Sequence, residues 1–318
     1  MNKIEAKFSK ILVTGGAGLI GSAVIRNLLE RNKKVVAYDN FSIGVWHKKD
    51  PNVVWVKQDI VSASLQEQLG DYSVDAVIHC AAHPGGRSLE EPVENVRVNC
   101  LGSMRIFEWC ACLNIPVIYL SSSIVYGEQP NKPIAENATL FPGTIYGVCK
   151  VACENFLKVL ENGYGLKWTV LRLFATYGAG HTPNLHQGIV NVILTQLMSG
   201  NKLIIKGPLS RVRDIIYIED SARAIVDILF CENARGKIIN VGTGIGTSVE
   251  NIIKILCKEL DRKKEDLDIR QAEPVVGDPH YNVADITQLI NLVEFRPEYD
   301  LRAGLKKLVF SRINEVSH

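Results

Sequence analysis

The chain has 318 residues, 47% hydrophobic and 22% charged, with a formal charge of +2 and a sequence pI near 8.0. That is ordinary globular usage, able to bury one large core or two modest ones, and too weakly basic to point to nucleic acid; Lys48-Lys49 and Lys263-Lys264 read as solvated surface. No apolar run reaches the ~18 residues of a bilayer span, residues 1–10 are too polar for a signal peptide, and the scattered cysteines and histidines (His181 and His186 among them) lack disulfide or metal spacing, so no membrane, no metal, reduced thiols and a cytoplasmic location are expected.

Lys10–Thr14 reads as a short apolar strand running into Gly15-Gly16-Ala17-Gly18-Leu19-Ile20-Gly21. A helix follows, with Ile20, Val24 and Leu28 on one stripe. Residues 34–38 form a second apolar strand that ends at Asp39. Strand, glycine turn, helix, strand and acid in this order form a dinucleotide-binding unit. The glycines permit a tight turn and close approach of a pyrophosphate to backbone N–H groups, and the helix N-terminus adds partial positive charge. Asp39 can accept from both ribose hydroxyls and repels a 2′-phosphate, so NAD is favoured over NADP.

The alternation continues through strands at 53–57, 76–79 and 117–120, leading to Asp59, to Cys80-Ala81-Ala82 and to Ser121-Ser122-Ser123. Helical stretches separate them, notably around 99–113. The pattern predicts an α/β fold with a Rossmann-type doubly wound parallel sheet. The glycine turn, Asp39, Asp59, Ala81 and Ser122 all fall at carboxyl ends of strands, where such sheets bind ligands. After Phe174 the alternation loosens. A Gly-, Pro- and His-containing loop at 179–187 precedes a helix near 189–198. A strand preceded by Arg211 and Arg213 ends at Asp220, and Asn240-Val241-Gly242 is expected to return to the main sheet. The expected organisation is a cofactor domain at 1–175, with a return segment near 214–243, and a smaller, discontinuous α/β substrate lobe at 176–318.

Tyr146 and Lys150 stand four positions apart, on one face of a predicted helix. A phenol ionises near pH ~10, and a fixed positive charge ~4–6 Å away lowers that by ~1–3 units. The pair therefore offers a base for a sugar or alcohol hydroxyl. By itself the spacing also suits an ordinary amphipathic turn. Its context decides, with Ser122 upstream and the dinucleotide unit before it.

On these residues the chain resembles the extended short-chain dehydrogenase/reductase family, in its NAD-dependent nucleotide-sugar epimerase/dehydratase branch. The matching segments run nearly end to end: 13–21, 39–44, 121–127, 146–150, 213–220 and 240–244. The resemblance implies that Tyr146 is the catalytic base and acid, that Ser122 holds the substrate oxygen, and that Lys150 anchors the nicotinamide ribose. It implies NAD contacts from Gly15, Gly16, Ala17, Gly18, Leu19, Ile20 and Gly21, and from Asp39, Asn40, Phe41, Ser42 and Gly44. Asp59 and Ile60 match adenine contacts. Cys80, Ala81, Ala82 and His83 match the loop over the pyrophosphate, and Asn99 and Phe174 further cofactor contacts. Ser122, Ser123, Arg87, Ala175, Ile189, Val190, Arg213, Asp278 and Asn282 match substrate positions, with Arg213 on a phosphate. The implied reaction is C4 epimerisation of a UDP-hexose. Tyrosinate removes the C4 hydroxyl proton as hydride moves to NAD, the 4-keto sugar turns, and hydride returns to its other face. The apolar stripes at 99–113 and 146–160 match helices that pair across a twofold axis, implying a homodimer.

The chain departs from that pattern in places. Ala175 stands where an asparagine usually contacts the diphosphate, Val275 where another arginine grips it, and Cys149 replaces the common Ser or Thr before the lysine. Asn282 falls where some relatives carry a bulky tyrosine, so an N-acetyl sugar or a uronate is an expected alternative substrate. Dehydratase relatives carry an Asp-Glu pair at the positions of Ser123 and Ile124, and Ile124 cannot abstract a proton. A 4-keto-sugar reductase needs the same Ser, Tyr and Lys, and a non-catalytic NAD sensor needs only the fold; both remain open on the residues alone.

Overall fold

The computed structural model describes residues 7–44, 49–62, 65–70, 72–180 and 188–316. Lys48, His181, His186 and most of the 179–187 loop lie outside them. In chain order the strands are β1 (Lys10–Thr14), β2 (Lys34–Asp39), β3 (Val53–Lys57), β4 (Ala76–His79), β5 (Val117–Ser122), β6 (Trp168–Leu173), β7 (Ala175–Tyr177), β8 (Lys202–Lys206), β9 (Val212–Tyr217), β10 (Ile238–Val241), β11 (Gly246–Ser248), β12 (Asp268–Ala272) and β13 (Tyr281–Asn282). The helices are α1 (Leu19–Glu30), α2 (Leu65–Leu69), α3 (Pro92–Val96), α4 (Ser103–Leu113), α5 (Ile145–Tyr164), α6 (Ile189–Ser199), α7 (Ile218–Leu229), α8 (Val249–Glu259), α9 (Thr287–Val293) and α10 (Leu301–Val316).

The main sheet has seven strands in the order β10-β6-β5-β4-β1-β2-β3, all parallel. Its apolar runs bury both faces, as a parallel sheet between helical layers requires. Ile11 and Val13 of β1 face the core shared with Val24, Ile25 and Leu28 of α1 and with Ile225 and Leu229 of α7. Leu12, one position out of phase, faces the other core with Ile106 and Phe107 of α4 and Leu157 and Leu160 of α5. This is the doubly wound architecture expected from the alternation. Strand order reverses between β1 and β4, which opens a crevice at the carboxyl end of β1.

Helix α5 is set by its caps. Thr144 Oγ1 accepts from Gly147 N at 3.0 Å, and Gly165, at φ +68°, ends the helix in the left-handed region. The predicted helix around 99–113 is entered differently. Residues 92–113 run helically, but Arg97–Gly102 forms a wide π-helical turn between α3 and α4.

Beyond β6 the chain builds a smaller sheet. β9 pairs in parallel with β7 and β13 and antiparallel with β11, while β8 and β12 form a separate parallel pair. The strand expected to reach Asp220 stops at Tyr217, and Asp220 lies in the first turn of α7. There its carboxylate accepts from the backbone N–H groups of Glu298 (2.9 Å) and Tyr299 (3.0 Å). β9 therefore belongs to the smaller sheet. The chain comes back to the first layer with α7, which packs on α1, and with β10 beside β6.

Candidate active site

The crevice at β1 is built from close backbone approach. Gly15 has φ +66°, and a Cβ there would come within 2.7 Å of Ala81 N; a Cβ on Gly21 would come within 2.1 Å of Gly15 O. Only glycine fits such positions. Ala81 N donates to Thr14 Oγ1 at 3.2 Å, so the glycine turn and the loop after β4 meet directly. Below them Thr14 Oγ1 lies 2.6 Å from His79 Nδ1, and His79 Nε2 lies 2.9 Å from Ser103 Oγ. Burial, and the nearby Lys150 charge, push the His79 imidazole down to about 3, so it is a neutral buried bridge.

Asp39 ends β2 beside this turn. Its carboxylate accepts from Ala17 N (2.9 Å) and Phe41 N (2.7 Å). Burial pushes that carboxyl up and the two N–H bonds oppose the shift. Phe41 takes φ +57°, and a Cβ on Gly44 would come 2.4 Å from Ala17 C, so residues 40–44 fold closely over the glycine turn. Asn40 Nδ2 and Val61 N donate to the two Asp59 oxygens at 3.2 and 2.9 Å, and Ile60 is buried against Gly102. Leu19 and Ile20 open α1. These contacts form a cradle of amide N–H groups, a helix N-terminus and a carboxylate. That donor set fits a dinucleotide.

Asn99 and His83 hold the loop after β4. Asn99 Oδ1 accepts from His83 N at 2.8 Å and its Nδ2 donates to His83 O at 3.1 Å, while the His83 ring lies between Glu91 (2.7 Å) and Asn95 (3.1 Å). Both side chains are thus engaged in shaping the 82–88 loop. Cys80 is a thiol pushed well up by burial. Ala82 and Gly85 follow on that loop. The Gly85 backbone lies on the Tyr146 ring, for a Cβ there would be 3.1 Å from Tyr146 Cδ1.

Tyr146 sits in the first turn of α5 with Lys150 one turn on. Lys150 is 3% exposed; its Nζ donates to Leu120 O at 2.8 Å and lies 5.3 Å from the Tyr146 ring centroid and 4.7 Å from that of Tyr119. Ser122 ends β5, and its Oγ accepts from Ile124 N at 3.4 Å. The turn after Ser122 packs on the first turn of α5, where a Cβ on Gly147 would be 3.3 Å from Ile124 Cγ2. The hydroxyl of Ser122 and the Tyr–Lys pair are thereby brought to one end of the main sheet.

A cavity of about 180 Å³ opens beside Ser122. It is lined by Ser122, Ser123, Phe174, Ala175, Arg213, Asp278 and Asn282 from the sequence-based set, and also by Ile124, Leu173 and Pro279. Arg213 donates to Asp278 Oδ1 at 2.6 Å, and Asn282 Nδ2 lies 3.5 Å from Ser123 O. Three expected substrate residues do not line it. Arg87 is exposed on the turn Gly85–Arg87, Val190 is turned into the apolar core, and Ile189 packs against that core. Leu173 and Pro279 carry no expected role, although each adjoins a residue that does.

Among the described residues no group of three or more His, Cys, Asp or Glu side chains is placed to hold a metal ion, and no helix is long and apolar enough to cross a membrane. All eight cysteines are free.

The chain matches the NAD dependent epimerase/dehydratase family over residues 11–242. It is 33% identical over 302 residues to a putative UDP-glucose 4-epimerase of Methanocaldococcus jannaschii, covering 94% of this chain and 97% of that one. Its fold superposes on the UDP-glucose 4-epimerase of Thermotoga maritima, solved with UDP-glucose, at a TM-score of 0.90, with 30% identity and coverage of 96% of this chain and 99% of that one. The Thermus thermophilus UDP-glucose 4-epimerase, solved with NAD, gives a TM-score of 0.87, 28% identity and coverage of 95% and 98%.

Proposed function

Because the chain belongs to the NAD dependent epimerase/dehydratase family, we propose that it inverts C4 of a UDP-sugar, using NAD held in the β1 crevice and the sugar nucleotide in the cavity beside Ser122. The observation that carries this is the placing of the Tyr146–Lys150 pair, through the Lys150 bond to Leu120 O, against the end of β5 that carries Ser122, with Arg213 lining the cavity beside Ser122.

The tight glycine turn would let the cofactor's pyrophosphate come close to the backbone and to the N-terminus of α1, which carries partial positive charge. Asp39 would accept from its ribose hydroxyls, and its negative charge disfavours a 2′-phosphate. When bound, NAD takes up and gives back the hydride at the sugar carbon. The protein handles the proton: Tyr146 Oη removes it from the C4 hydroxyl and later restores it. Lys150, pinned to Leu120 O, holds a positive charge beside that ring and the cofactor ribose. Ser122 Oγ hydrogen-bonds the same sugar oxygen as its charge changes. Arg213 faces the diphosphate, for which a planar, permanently charged fork is suited. Ile124 supplies no acid or base, so elimination of water has no agent there. Residues 1–175 with α7 and β10 form the cofactor part, and the remainder the sugar-nucleotide part.

The test is chemical. Purified protein is expected to release NAD on denaturation and to interconvert a UDP-hexose and its C4 epimer without added cofactor. Empty protein that instead consumes added NADH with a keto sugar would point to a reductase. Asn282 favours a wider sugar range, since it lines the cavity as a small polar side chain. Thermal shifts with UDP-glucose and UDP-GlcNAc, which stabilise by mass action, distinguish the two; a response confined to the plain hexose removes the wider range.

We also place the protein in the cytoplasm as a homodimer. An apolar groove of about 850 Å³ runs between α3–α4 and α5, lined by Val93, Val96, Leu101, Met104, Ile145 and Phe156. Val93 is 80% exposed, unusual for an aliphatic side chain in a contiguous patch. Light scattering is expected to give a dimer, and Val96→Glu a monomer; wild-type protein that scatters as a monomer would remove the dimer.

A further inference from the structure

Arg211 and Arg213 flank Val212 at the start of β9 and converge on one carboxylate. Arg213 donates to Asp278 Oδ1 at 2.6 Å, and Arg211 bonds Asp278 Oδ2. Arg213 and Asp278 line the cavity, whereas Arg211 stands behind them. Its Nε donates to Pro208 O at 3.2 Å, and its guanidinium lies against Gly207, where a Cβ would be 3.2 Å from Cζ. Gly207 has φ +83°, so the backbone there is shaped to admit the guanidinium. Arg211 is only 5% exposed, yet it carries no contact with the cavity.

The charge count explains what such a residue does. Two guanidinium groups share one carboxylate, a net of one positive charge facing the cavity. With Arg213 and Asp278 alone the wall would be neutral. An incoming diphosphate would then have to draw Arg213 away from Asp278 and sit beside an uncompensated carboxylate, a like-charge contact in a partly desolvated place.

We propose that Arg211 is a positioning residue for the diphosphate subsite. It holds and neutralises Asp278, so that Arg213 can exchange its bond to Asp278 for one to phosphate when a nucleoside diphosphate enters. This deepens the functional reading above and rests on it. Arg211 need not touch the ligand; it acts through Asp278.

The experiment measures UDP binding by calorimetry, together with KM and kcat for the UDP-sugar, on the NAD-loaded protein. Arg211→Gln is expected to raise both the UDP Kd and KM by ~10–100-fold while kcat changes far less, the pattern of lost uniform binding. Arg211→Lys, which restores the charge, is expected to recover most of that loss. In an Asp278→Asn background, where no carboxylate needs neutralising, Arg211→Gln is expected to change the UDP Kd by ~2-fold or less, because the coupling has been removed. Wild-type affinity in Arg211→Gln would overturn the inference. So would an equal loss in both backgrounds, which marks Arg211 as fold support only. Wild-type protein that binds no UDP would instead overturn the functional reading, and this inference with it.

Discussion

Tyr146→Phe is expected to lower kcat by ~10²–10⁴-fold, the range for losing a positioned acid–base group, while the protein still releases NAD on denaturation and still binds UDP. The change removes one oxygen and keeps the ring. That ring is held by packing, between the Gly85 backbone and the Lys150 ammonium, so the loop after β4 and the start of α5 have no reason to move. Lys150 keeps its bond to Leu120 O, and Ser122 keeps its place at the end of β5. Cofactor and substrate binding are therefore separable from proton transfer, and the whole loss falls on the chemical step. The check is a steady-state assay of the UDP-sugar beside calorimetric UDP binding. A variant within ~10-fold of wild-type kcat would show that another group moves the proton, since acid–base catalysis contributes at least ~10²-fold, and the Tyr–Lys assignment would fall.

The parts of the molecule legible in the sequence are those whose signals are local. β1, β2, β4 and β5 show as apolar runs because there the sheet is covered on both faces, so neither face needs polar residues. The glycine turn shows because Gly15 and Gly21 are forced by contacts within their own turn and with the neighbouring strand end. Tyr146 and Lys150 show because one helical turn joins them. The smaller lobe is harder to read. β12 is mostly exposed and β13 has two residues, so neither leaves an apolar trace. β9 ends three residues before Asp220 because Glu219 and Asp220 are first-turn acids of α7, favoured at a helix N-terminus. The π-helical turn at Arg97–Gly102 leaves no signature in apolar spacing. The Arg211–Asp278–Arg213 arrangement could not be seen in advance, since its members lie 67 and 65 positions apart and meet only when β13 is laid against β9.

Glu154→Gln is expected to destabilise the protein by ~3–5 kcal/mol, the cost of leaving a buried charge without its partner. Glu154 and Arg172 are 1% and 2% exposed. Arg172 Nε and Nη2 donate to the two Glu154 oxygens at 3.0 and 2.7 Å, and Ser121 Oγ donates to Glu154 Oε1 at 2.6 Å. The guanidinium also donates to Glu136 O at 3.0 Å and lies 4.8 Å from the Tyr126 ring centroid. Replacing the pair with apolar groups should cost much less, so Arg172→Met with Glu154→Leu is expected to regain most of the stability in urea unfolding. Activity should not return with it. Glu154 is one turn beyond Lys150 on α5, and the two side chains bond successive residues of β5, Ser121 and Leu120. Together they fix the height of α5 against the strand that carries Ser122. Without the Glu154 bond that register is held less firmly, and Tyr146 shifts relative to Ser122. The double variant is thus expected to be stable but to have a kcat reduced by up to ~10²-fold, the scale of a misplacement near 1 Å. Recovery of both stability and kcat in that variant would mean that the buried pair serves folding alone.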